Sequence, residues 1–230
     1  MNGDARVRVR VWDLPTRLFH GALVLLVAAS VVTGKLDSVL GPSTLEWHKR
    51  SGLAILALLA FRVAWGFAGG THARFAGFLR GPRALVAYAR ALAAGSAPET
   101  AGHNPLGGWS VVAMLSALAA QAATGLFLVQ EDYGFQGPLA RHVSGATSDR
   151  LNAIHEANFW VIAALVALHL AAVVFYAVAK RQDLVGAMIG GDKRLAPGRE
   201  GEASRGGGGL LAAAIAFAAA AAVWGLVSLA

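Results

Sequence analysis

The sequence predicts an all-α integral membrane protein, a bundle of four transmembrane helices followed by a fifth at the C-terminus. Three observations lead there. Of the 230 residues 56% are hydrophobic and 14% charged, a more apolar balance than a soluble domain of this length carries. Five apolar runs approach the ~20 residues needed to cross about 30 Å of hydrocarbon. The 20 Lys and Arg gather at alternate ends of those runs, which accounts for the formal charge of +7 without nucleic acid.

The first run, about 18–34, follows a basic segment and an aromatic-rich turn and precedes no small-residue cleavage site, so it is expected to stay as a helix rather than leave as a signal peptide. The second covers about 48–69, the third 105–129 and the fourth 154–179. A core domain is thus assigned to 1–193, a Gly-rich linker to 194–209, and a fifth span to 210–230, mostly alanine, which favours helix but anchors weakly. Between the second and third runs, 84–94 has helical spacing beside Arg80, Arg83 and Arg90, as a helix on the membrane surface or a solvated loop helix would. Residues 130–153 mix Gly, Pro, Asp and Ser and read as an ordered extramembrane loop.

Basic side chains set the orientation. Arg6, Arg8, Arg10 and Arg17, then Arg74, Arg80, Arg83 and Arg90, then Lys180, Arg181, Lys193, Arg194, Arg199 and Arg205 fall on one side, assigned to the cytoplasm. Lys35, Lys49, Arg50, Arg141 and Arg150 fall on the other. The N-terminus is then cytoplasmic and the C-terminus, beyond a fifth span, periplasmic.

Four of the seven His lie in or at the ends of apolar runs: His20, His48, His155 and His169. A polar group there is costly without a partner and is a functional candidate by default. His155 and His169 are 14 residues apart, which on a helix brings them within about 40° of one face and about 21 Å apart along the axis. The antiparallel course of the first two helices puts His48 level with His155 and His20 level with His169. Two imidazoles facing each other, with no thiolate or carboxylate beside them, suit the two axial positions of a haem iron better than zinc, which takes three or four protein ligands. The absence of cysteine excludes disulfides, iron–sulfur clusters, thiolate-bound metals and covalently attached c-type haem. Two b-type haems are therefore the expected cofactors, with His20/His169 and His48/His155 on iron and no separate catalytic residue.

Gly34, Gly52 and Gly125 are candidate sites where a missing side chain lets a porphyrin approach the backbone, or where helices simply pack through small residues. Arg62, 14 residues after His48, is a candidate partner for a haem propionate, with snorkelling to the lipid surface as its alternative. His72, His103 and His142 are read as exposed loop residues, with His103 also placed to cap the third helix and face the lower haem.

The runs Val11-Trp12-Asp13-Leu14-Pro15-Thr16-Arg17-Leu18-Phe19-His20, Trp47-His48-Lys49-Arg50-Ser51-Gly52, Arg62-Val63-Ala64-Trp65-Gly66, Gly102-His103-Asn104-Pro105, Thr124-Gly125 and His155-Glu156 through to His169 together resemble the bacterial cytochrome b561 family, which includes the b-type cytochrome subunits of nickel–iron hydrogenases. The resemblance covers about residues 7–193. It implies a di-haem four-helix core with the same four His as ligands. Gly21 departs from it, standing where the family usually has an aromatic residue, and the alanine-rich fifth run lies outside the common core.

The expected activity is transmembrane electron transfer in the bacterial inner membrane. The resemblance implies quinone or quinol as one reactant and a separate protein, a periplasmic c-type cytochrome or a hydrogenase, as the other. Glu131, Asp132 and Tyr133 are candidates for accepting a quinol proton or docking a basic cytochrome, or form a solvated helix end. Lipid is a partner by class, a homodimer is left open, and no nucleic acid is expected. Two rivals stand: a self-sufficient superoxide:quinone oxidoreductase, and a His-lined metal or ion transporter.

Overall fold

A computed structural model describes residues 6–36, 43–131 and 134–228. Five of its helices are long and apolar enough to cross a membrane: α1 (Leu14–Lys35), α2 (Ser43–Ala68), α4 (Pro105–Gly125), α5 (Gly145–Val178) and α7 (Gly209–Ser228). Three shorter ones lie between them: a single turn at Phe75–Phe78, α3 (Pro82–Ala93) and α6 (Leu184–Gly190). Large apolar side chains on the long helices, such as Leu25, Phe67, Trp160 and Phe217, are exposed, as lipid-facing surface must be. Leu229 and Ala230 of the expected fifth span lie outside the described residues, as do Asp132 and Tyr133.

The helix starts are written in side-chain chemistry. Asp13 Oδ1 accepts the Thr16 N–H at 2.8 Å at the head of α1, and Asn104 Oδ1 accepts the Gly107 N–H at 2.8 Å at the head of α4, where Pro105 fills the first helical position. Ser144 Oγ takes the Thr147 N–H in the same way ahead of α5. That cap explains why α5 begins at Gly145, nine residues before the apolar run: a polar sequence with a good cap extends the helix beyond the hydrocarbon. α4 ends at Gly125 instead of 129 because the chain turns there into a small hairpin, β2 (Val129–Gln130) against β3 (Phe135–Gln136).

Contacts divide the chain into two compact units, and each long helix contributes to both. The first comprises the described residues of Met1–Leu18 with Ala64–Ala113 and Leu165–Ala212. Its centre is a two-stranded antiparallel sheet, β1 (Val7–Arg10) on β4 (Asp192–Leu195), with Val7 opposite Leu195 and Arg10 opposite Asp192. Alternation sends Val9 inward, with Val11 just beyond the strand, to pack with Trp12, Ala101, Ala187 and Leu195, and leaves Arg8 and Arg10 outside, both paired to Asp192. Glu99 joins Arg6 and Arg199 at 2.9 and 3.3 Å. Tyr176 of α5 accepts a hydrogen bond from Asn104 Nδ2 at 2.8 Å and lies 3.0 Å from the Tyr88 hydroxyl of α3.

The segment 194–209, expected to be a linker, is built into this unit. Ser204 N–H donates to the Arg10 carbonyl and Thr71 N–H to that of Arg205. Gly207, at φ +73, comes so close to Gly70 that a Cβ would sit 2.6 Å from its backbone nitrogen. Glycine here serves close approach and a left-handed turn, and only incidentally looks like a flexible composition.

The second unit comprises Phe19–Val63, Met114–Ala164 and the described residues of Ala213–Ala230. Ser148 ties its loop to α5, accepting the Val129 N–H and donating to the Phe127 carbonyl, both at 3.0 Å. Asn158 of α5 reaches Gln121 Oε1 at 2.7 Å on α4. Ser30 and Ser51 share a hydrogen bond at 2.5 Å between α1 and α2.

Candidate haem site

Within the second unit, His48 on α2 and His155 on α5 stand with ring centres 6.2 Å apart and planes at 74°. Each ring is held from its Nδ1 side. His48 Nδ1 lies 2.8 Å from the Ser30 carbonyl, which only accepts, so Nδ1 carries the proton and Nε2 keeps its lone pair. His155 Nδ1 lies 3.0 Å from Thr124 Oγ1, and the single Thr124 proton is engaged by the carbonyls of Ala120 at 2.8 Å and Gln121 at 3.0 Å. His155 must then donate, and its Nε2 is likewise a free donor atom for a metal. Among the described residues no group of three or more His, Cys, Asp or Glu gathers in a metal-holding arrangement.

Gly34 and Gly125 frame the two rings. A Cβ on Gly34 would fall 2.7 Å from His48 Nδ1, and one on Gly125 would fall 3.3 Å from His155 Cε1. The room these two glycines leave is taken by imidazole. Gly52 differs, since nothing lies within 4 Å of where its Cβ would be. Arg62 is buried on α2, at 3% exposure.

His20 lies on α1 in the second unit and His169 on α5 in the first; both are half-buried. His142 is exposed. His72 and His103 depart from the exposed-loop reading. His103 packs at 4.8 Å from Trp12 and 4.7 Å from Phe78, and His72 Nε2 lies 2.7 Å from the Glu202 carbonyl. Both are half-buried because β1 and the 194–209 segment cover the loops that carry them.

Sequence reasoning passed over Ser30 as a backbone acceptor and Thr124 as a hydroxyl acceptor. Only Thr124 carried a signal, since a hydroxyl inside an apolar run is unusual, but nothing local says which helix it serves; Ser30 acts through a backbone carbonyl, which leaves no mark in the sequence.

A membrane helix bundle with opposed, Nδ1-anchored histidines is the architecture of a b-type cytochrome. The chain belongs to the prokaryotic cytochrome b561 family, which matches residues 11–191. It is 26% identical over 229 residues to a probable Ni/Fe-hydrogenase B-type cytochrome subunit of Rhizobium leguminosarum bv. viciae, covering 82% of this chain and 90% of that one. No solved structure matches it. The protein is accordingly a membrane b-type cytochrome of electron transport that binds haem b.

Proposed function

We propose that this cytochrome carries two haems b and moves electrons across the bacterial inner membrane, between the quinone/quinol pool and a separate redox protein such as a hydrogenase or a periplasmic c-type cytochrome. The observation that carries the reading is the His48–His155 separation. Two imidazoles on opposite sides of one iron, each nitrogen about 2 Å from the metal and each ring centre about 1.1 Å further out, put ring centres about 6.2 Å apart. The observed value is 6.2 Å, and rotation about the shared axis allows the 74° between planes.

In this reading His48 and His155 hold one haem and His20 and His169 the other. The second pair rests on the spacing along α5, where His169 follows His155 by 14 residues, about 21 Å of rise. Haem held by these four His would supply a reversible one-electron change at iron. The protein's own work is to fix tautomers through Ser30 and Thr124, to shape room at Gly52, and to place the Arg62 cation where a propionate needs neutralising. Core residues 1–193 hold both centres, and α7 is an added span. The N-terminal arm, the α3 region and the 180–205 segment face the cytoplasm, as their Arg and Lys favour. Hydrogenase as partner is supported by the Rhizobium relative's designation.

A pyridine haemochrome assay with a reduced-minus-oxidised spectrum on the purified chain tests this. Two haems b per chain are expected. One per chain would remove a ligand pair, and none would end the proposal. Quinol-dependent reduction in vesicles, with and without an added hydrogenase or c-type cytochrome, then separates a dependent subunit from a self-sufficient superoxide:quinone oxidoreductase.

A further inference from the structure

The first unit contains a cleft of ≈ 510 Å³ beside the β1–β4 sheet, within the ~300–1,000 Å³ range of small-ligand sites. Five cations line it: Arg6, Arg8, Arg181, Lys193 and Arg194. Two carboxylates line it with them and a third, Glu99, pairs with Arg6 at 2.9 Å from outside the lining; all three are committed. Asp192 is paired with Arg8 at 3.0 Å and Arg10 at 2.6 Å, and Asp183 Oδ1 caps α6 by taking the Gly186 N–H at 2.7 Å. Arg181 and Arg194 are exposed and, among the described residues, in no ion pair.

Arg181 is also held against its backbone preference. It sits at φ +52, the one non-glycine residue with positive φ among those described, in the turn that leaves α5. Glycine would take that conformation without strain. A cation kept where glycine fits better, at the mouth of a cleft of excess positive charge, points to an anionic ligand. The neighbouring surface tells which kind. α6 begins six residues after α5 ends and exposes Val185 and Ile189, 55% and 70% accessible, one turn apart on the same face. A soluble anion would use the arginines alone, whereas a phospholipid uses both.

We infer that this cleft seats the phosphate headgroup of an anionic phospholipid, with its acyl chains along Val185 and Ile189. The inference rests on α5 crossing a bilayer and is independent of haem number, ligand pairing and redox partner.

The test is native mass spectrometry and lipid titration of the full chain in detergent, with phosphatidylglycerol, phosphatidylcholine and inorganic phosphate as separate probes. One phosphatidylglycerol is expected to bind in preference to phosphatidylcholine, and the double variant Arg181→Gly, Arg194→Gln to weaken it roughly thirtyfold, about fivefold per cation. Arg181→Gly is expected to leave the melting temperature unchanged or higher, which separates lost binding from lost folding; Arg194→Gln alone carries the same test without altering the turn. Val185→Ser with Ile189→Ser should weaken the lipid further. Unchanged phosphatidylglycerol affinity in the arginine variants overturns the site. An equal loss from Arg83→Gln with Arg90→Gln on α3 overturns it as well, showing general surface charge, and so does displacement of the lipid by inorganic phosphate, showing a free-anion site.

Discussion

The Thr124 hydroxyl lies 3.0 Å from Nδ1 of His155, while its own proton is engaged by the carbonyls of Ala120 and Gln121 one turn back on α4. Thr124 is therefore an acceptor that fixes a tautomer on another helix. Thr124→Val keeps the shape and removes the acceptor. Loss of a partner of this kind costs roughly 10–100-fold in metal affinity. Haem affinity at this centre should fall accordingly, and its midpoint potential should rise, because a less polarised imidazole donates less charge to oxidised iron. Thr124→Ser should restore both. Haem titration and redox potentiometry read the outcome, and a valine variant indistinguishable from wild type in both would remove Thr124 from the site.

The two framing glycines differ in tightness, and that difference is measurable. At Gly34 an added methyl group would stand 2.7 Å from His48 Nδ1, a ring already pinned to Ser30; at Gly125 the gap to His155 Cε1 is 3.3 Å. Gly34→Ala is expected to displace the His48 ring and lower the haem b content by one per chain relative to wild type. Gly125→Ala should retain most of it. The reverse ranking in a haemochrome assay would contradict the packing described.

Asp13 joins three segments of the first unit. It caps α1 through Thr16, accepts the Gly70 N–H at 3.0 Å, and lies 3.4 Å from Nε1 of the fully buried Trp65. Asp13→Ala should cost about 0.5–2 kcal/mol for the cap, plus about 1–3 kcal/mol if a buried donor is left unmet. Thermal melting followed by tryptophan fluorescence measures the loss. Asp13→Asn, which keeps one acceptor oxygen, should lose less.

Lys193 gives a pH signature outside the membrane spans. Its amine is buried, donates to the Thr100 carbonyl at 2.7 Å, and is pushed down to about 8 by desolvation, against the partial opposition of Glu99. Arg199 and Arg6 push in the same direction as burial. Because the folded pKa lies below the unfolded value of about 10.5, the unfolded chain binds more protons between pH 8 and that value. Stability from this group therefore rises with pH through that window, and its burial penalty is fully present below pH 8. The melting temperature of wild type relative to Lys193→Met should climb between pH 8 and 10, and a flat difference would refute the assignment.

The five long helices were legible because each carries an uninterrupted apolar run, a signal that survives any tertiary arrangement. The His48 and His155 levels were readable from helix direction and spacing alone. Their Nδ1 partners were not, because Ser30 acts through its backbone carbonyl, which every residue has. The β1–β4 pairing escaped for a related reason. Val7-Arg8-Val9-Arg10 alternates as a strand should, yet its partner lies beyond four membrane spans, and no local pattern names a partner that distant. The contacts of 194–209 were not readable either, because in composition glycines that permit contact look the same as glycines that permit motion.

That distant pairing imposes an order on biogenesis. The strand made first, Val7–Arg10, has nothing to join until Asp192–Leu195 leaves the ribosome, by which time the four intervening spans have been synthesised. The sheet thus acts as a late fastener. Any chain stalled or cut before residue 192 leaves Val7–Arg10 without the strand it pairs with, an open edge that the finished protein covers.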